Sequence, residues 1–238
     1  MNTFMQALTL LPWSDWAALA VFFAGWAGYA TWAHRRAAVR PSLLALTNRE
    51  RMRWMLQTSR RENRVVDGVV VQNMSTSPSF FASTTILIIG GLLAVLSATD
   101  RASDLVREIP FAARTSLMVF DMKVVLLAAI FVYAFFRFTW SLRLYTFGAL
   151  LVAAAPDYKA WPDEAQRTHF ASRAGRVMGM AAESFNDGLR SYYFAFAAVA
   201  WFFSPWAFMA GTAGVAFVLY RREFHSEVLA VLAEAPPA

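Results

Sequence analysis

Residues 124–155 read VVLLAAIFVYAFFRFTWSLRLYTFGALLVAAA, with no proline and a single glycine, Gly148. As one helix at ~1.5 Å per residue, this run is close to ~50 Å long. The hydrocarbon core of a bilayer is ~30 Å thick and takes ~20 apolar residues. The run therefore crosses a membrane and continues beyond it. It also carries Arg137 and Arg143 among aromatics. The expected architecture is all-α: a polytopic membrane protein in one domain, with helical extensions into the cytosol.

Three other stretches are read as spans, 16–33, 80–98 and 192–220, with the membrane part of the long run at about 124–143. Only 16% of residues are charged, against ~25% in soluble domains. No Lys or Arg precedes Arg35, so the first span is read as retained, not as a cleaved leader. Before it, Phe4, Met5, Leu8, Leu10 and Leu11 are placed on the membrane surface, and Ser14 or Asp15 is expected to cap its helix. Ser77-Pro78 is read as the start of the second span, with proline at the first helical position. Gly90-Gly91 inside that span marks a close helix contact or a bend. Pro110 breaks the loop that follows. Ser204-Pro205 is expected to kink the last span. A re-entrant pair of half-helices is the alternative there.

The connection 34–77 is basic, with nine arginines against Glu50, Glu62 and Asp67. Thr47-Asn48-Arg49-Glu50 fits a capping box, so a basic amphipathic helix is expected to follow it. Such a helix beside a span lies on headgroups, which makes Arg49, Arg51, Arg53, Arg60, Arg61 and Arg64 candidate lipid contacts. The membrane accounts for this charge, and no nucleic-acid partner is expected. Basic residues in loops mark the cytosolic side. Connections 34–77 and 156–191, with Arg137 and Arg143, hold sixteen basic residues against six elsewhere. The expected orientation in a bacterial inner membrane has the N-terminus outside, with both long connections cytosolic. Four spans also put the C-terminus outside, where Arg221-Arg222 fits poorly.

There is no cysteine, which excludes disulfides and thiolate metal sites. His34, His169 and His225 lie far apart and form no H-E-x-x-H motif. No phosphate-binding glycine loop or nucleophile elbow is present, and neither a cofactor nor an enzyme activity is expected. What remains is a polar set within or near the spans: Arg137, Arg143, Glu183, Asn186, Asp187 and Arg190. Ser83, Thr84 and Thr85 form a candidate polar lining. Charges in spans usually face the bundle interior and are functional candidates. One reading is an ion-pair network with snorkelling arginines; the other is a solute or ion pathway. Helices three and four form an antiparallel hairpin, cytosolic over about 144–190. With its turn near Tyr158, Met180 lies level with Arg137, Glu183 is the first acid in reach and Asp187 the next.

The segments FFASTTILIIGGLLAVL, FRFTWSLRLYTFGALLVAAAP, FNDGLRSYYFAFAAVAWFFSP and VLYRREF together resemble a bacterial family of four-span membrane proteins catalogued as domain of unknown function 599. The resemblance runs from about Trp16 to Glu227. It implies an integral membrane protein and supplies no activity. The leading functional expectation is a non-enzymatic homo-oligomer serving as a channel or transport element. A membrane scaffold that binds anionic lipid or a partner through the basic connection is the first alternative, and a lipid-acting membrane enzyme the second.

Overall fold

The computed structural model describes residues 11–37, 42–108 and 116–234. The expectations for Phe4 to Leu10 and for Pro110 lie outside them. The described residues form helices and no strand: α1 (Trp13–Ala37), α2 (Leu43–Arg60), α3 (Val65–Ser97), α4 (Thr99–Glu108), α5 (Leu117–Ala153), α6 (Glu164–Val199), α7 (Pro205–Phe224) and α8 (Glu227–Ala233). Two of them, α3 and α5, are long and apolar enough to cross a membrane.

Several boundaries differ from the sequence expectation. The helix predicted to start at Pro78 starts at Val65, and Pro78 lies inside it. A proline there withdraws one backbone donor. Packing upstream holds the helix regardless: Asp67 and Val71 are buried on its first turns. In α2 the cap is Ser42, whose hydroxyl accepts from Ala45 N at 3.1 Å. The Thr47 hydroxyl donates instead to Leu43 O at 2.9 Å, so Thr47 sits inside the helix and opens no capping box. The α1 helix begins at Trp13, one turn of it closed by Asp15 N donating to Pro12 O. Asp15 itself turns inward.

The last stretch is broken, not kinked. α6 ends at Val199, a 3-10 turn covers Ala200–Phe202, and α7 starts at Pro205. The Ser204 hydroxyl accepts from Ala207 N at 3.0 Å. Serine as cap with proline at the first helical position is a helix start. α7 then returns along α6: a side chain on Gly211 would meet the Ala197 backbone.

Packing divides the described residues into two groups. The first comprises described residues of 1–39, 85–133 and 190–221. Its core is built on Phe22, Leu127, Ile130, Phe194, Trp201 and Phe208. Phe22 meets Phe194 edge-on at 5.8 Å and Phe208 at 5.0 Å. Trp13 packs on Trp206 and Trp32 on Tyr220, so α7 runs parallel to α1. Lys123 is buried and donates to Trp201 O at 2.9 Å, while Trp201 Nε1 donates to Asp15 at 2.6 Å.

The second group comprises described residues of 40–84, 134–189 and 222–238. Its core holds Met55, Val71, Leu144, Tyr145, Val152 and Met178. α8 packs on α2, and Leu44 N donates to Glu223 at 3.1 Å. The C-terminal helix therefore shares a side with the first basic connection, which overturns the C-terminus expected on the opposite side.

Candidate functional site

The site grows from the α5–α6 pair in the second group. Small residues let these helices close up. Gly188 leaves room for the Phe138 ring, which would overlap any Cβ placed there. The Ser141 hydroxyl donates across to Ala181 O, and the Ser184 hydroxyl to Arg137 O, each at 2.7 Å. These bonds fix the register, and in that register Arg137 forms an ion pair with Asp187. Glu183, the nearer acid expected from the symmetric hairpin, is not its partner. The reason lies in the connection, which folds back on the first turns of α6. Trp161 packs on Phe170 at 5.3 Å, and Arg167 donates to Tyr158 O at 2.7 Å. That extra length displaces α6 by about two turns relative to a symmetric hairpin, and brings Asp187 level.

Glu183 instead accepts from Asn48 Nδ2 at 3.2 Å. Asn48 Oδ1 accepts from Arg51 at 2.8 Å, and the Thr47 hydroxyl accepts from the same guanidinium at 3.1 Å. Burial pushes the Arg51 pKa below its usual value, partly offset by Tyr145 and Glu183 nearby. Gly179 and Gly175 bring α6 against Asn48 and Met52. A small cavity of about 180 Å³ remains there, lined by Asn48, Arg176, Met180 and Glu183 among others.

The rest of the predicted set is scattered. Arg143 is exposed over Phe147 at 5.8 Å, and Asn186 is exposed. Arg190 belongs to the first group, over Tyr29 at 5.4 Å. Ser83, Thr84 and Thr85 do not form one lining. Ser83 is exposed, Thr84 donates to its own helix at Phe80 O, and Thr85 is buried against Tyr192 at 2.7 Å.

The arginines of α2 and its exit have partners within the chain. Arg53 pairs with Glu50, Arg60 with Glu164 and Arg61 with Asp67. Arg64 donates to the carbonyls of Thr58, Ala155 and Pro156, and so ties the connection to the α5 end. Arg49 is exposed. Sequence reasoning missed two buried groups. Asp67 is an acid within the apolar run VVDGVVV, and Lys123 is one of two lysines in the chain. Among the described residues, no three His, Cys, Asp or Glu converge to hold a metal.

One family model, "Protein of unknown function, DUF599", matches residues 17–228. No curated protein and no solved structure matches the chain.

Proposed function

The chain belongs to the DUF599 family, whose function is unknown, and we propose from its own residues that it is a polytopic, non-enzymatic membrane protein which, as a homo-oligomer, passes an ion or small solute past the Arg137–Asp187 pair. The pair itself carries the reading. Arg137 lies about 30 Å along α5 from Leu117, at ~1.5 Å per residue. With the outer edge of the hydrocarbon at Leu117, the pair stands at the inner mouth of the span. The two side chains keep 30% and 23% of their surface open. Charge at that depth calls for water or a second copy over it. Repeated around an oligomer axis, the pair forms a charged ring of the kind that selects ions at pore mouths.

The orientation that supports this reading has five crossing segments, in α1, α3, α5, α6 and α7. The N-terminus is outside a bacterial inner membrane. The first basic connection, the α5–α6 hairpin and the C-terminus are cytosolic. Arg221 and Arg222 then join the basic side, as positive-inside counting asks.

The test is reconstitution into liposomes with tracer cations and anions, alongside the particle mass in detergent. Expected are a mass above one chain, flux above empty vesicles, and a shift toward anions in Asp187→Asn, which leaves Arg137 without its carboxylate. A monomer with no flux refutes the proposal. A second reading, a membrane scaffold, is favoured by Val65, Val66 and Val69, which are 68%, 66% and 49% exposed at the start of α3. A dry monomer that captures a partner through these valines is its outcome.

A further inference from the structure

Asp67 sits on the first turns of α3 and is fully buried. Three donors converge on its Oδ1: Trp54 Nε1 at 2.6 Å, the Thr58 hydroxyl at 2.9 Å and Arg61 at 2.6 Å. Its other oxygen, Oδ2, is buried without a hydrogen-bond partner. Arg51 shows the opposite deficit. Its terminal nitrogen serves Thr47 and Asn48, while its Nε is buried without an acceptor. Buried polar atoms are nearly always satisfied, and each exception calls for a missing partner.

Both residues line one cavity of about 490 Å³, whose apolar wall is Trp54, Val66, Val70, Met74 and Leu232. That volume falls in the ~300–1,000 Å³ range of small-molecule sites, which are mostly apolar with a few fixed polar groups. The charged lining balances: Arg51 and Arg61 stand against Glu50 and Asp67. A net charge on the ligand therefore gains little. What the lining asks for is a donor for Asp67, an acceptor for Arg51 and an apolar body for the wall. We infer that this cavity binds a neutral amphiphile with a hydroxylated head, of the monoacylglycerol type. Hydroxyls supply donor and acceptor together, and a short acyl chain matches the valine, methionine and leucine surface. None of these groups belongs to the Arg137–Asp187 pair, so the inference stands apart from the conduction reading.

The test uses the full chain in detergent and native mass spectrometry with three probes: 1-monooctanoylglycerol, methyl octanoate and glycerol. Expected is a one-to-one adduct with monooctanoylglycerol alone. Asp67→Asn keeps an oxygen for the three donors and puts an amide NH2 where the bare oxygen was. It weakens the adduct about tenfold, the scale of one hydrogen bond to a charged group. Leu232→Trp fills the cavity from α8 and removes the adduct at unchanged melting temperature. It decides the matter should Asp67→Asn fail to fold. Equal adducts with methyl octanoate would mean chain partitioning only and overturn the inference. So would no adduct at all, which leaves water in the cavity, or an adduct that survives Leu232→Trp.

Discussion

Gly188→Ala puts the packing argument at its sharpest. The added Cβ falls on the Phe138 ring, far inside van der Waals contact. That ring cannot swing away. Phe138 is 0% exposed, stacked on Phe81 at 5.4 Å and tilted against Phe185 at 5.7 Å. Overpacking a closed site costs about 1–3 kcal/mol. Replacing a helical glycine by alanine returns about 1 kcal/mol of helix propensity. Gly68→Ala supplies the reference, because nothing lies within 4 Å of a Cβ placed there. Subtracting the two variants cancels the shared propensity gain and isolates the clash. At about 2–4 °C per kcal/mol for a chain of this size, Gly188→Ala melts about 2–12 °C below Gly68→Ala. The assay is thermal unfolding of both variants in the same detergent. A Gly188→Ala that melts at or above Gly68→Ala refutes the closed α5–α6 contact, and with it the register that sets Asp187 against Arg137.

Two further outcomes are expected. Lys123→Met removes the charged donor to Trp201 O and lowers stability by about 1.5–3 kcal/mol; a melting temperature equal to wild type would show that the 3-10 turn does not depend on it. Single cysteines at Asn63 and Ala233 label from one side of the membrane with an impermeant thiol reagent, and one at Leu105 from the other. Asn63 is exposed in the connection after α2, and Ala233 labelling together with Leu105 would contradict the five-segment topology.

Helix content and the two helices long and apolar enough to cross a membrane were legible because long unbroken apolar runs have few other solutions in water or lipid. Register was not. It depends on where residues 154–163 fold, and Trp161 packing on Phe170 cannot be read from spacing. Pro78 and Pro205 show the limit of local rules. The same residue type sits inside α3, where buried neighbours hold the helix, and opens α7, where Ser204 caps it. The basic connection reads by composition as a headgroup helix, yet Arg60 meets Glu164 and Arg64 meets the carbonyls of Ala155 and Pro156, far along the chain. Only the fold brings those partners to them. Asp67 was visible as an acid among valines, but its role as a hub follows from Trp54 and Thr58 on a different helix.

The bond from Leu44 to Glu223 joins residues 179 apart in sequence. A chain emerging from the ribosome makes α2 early and must make everything between before Glu223 and α8 exist. During that interval the Leu44 donor of α2 and the face that α8 covers remain open. Contacts this distant in sequence close late, and exposed apolar surface in such intermediates invites misassembly. Glu223 and α8 thus complete the second group only after every helix between has been made. A chain cut short before Glu223 keeps the Ser42 cap, yet leaves Leu44 N without its carboxylate acceptor and the face of α2 under α8 uncovered.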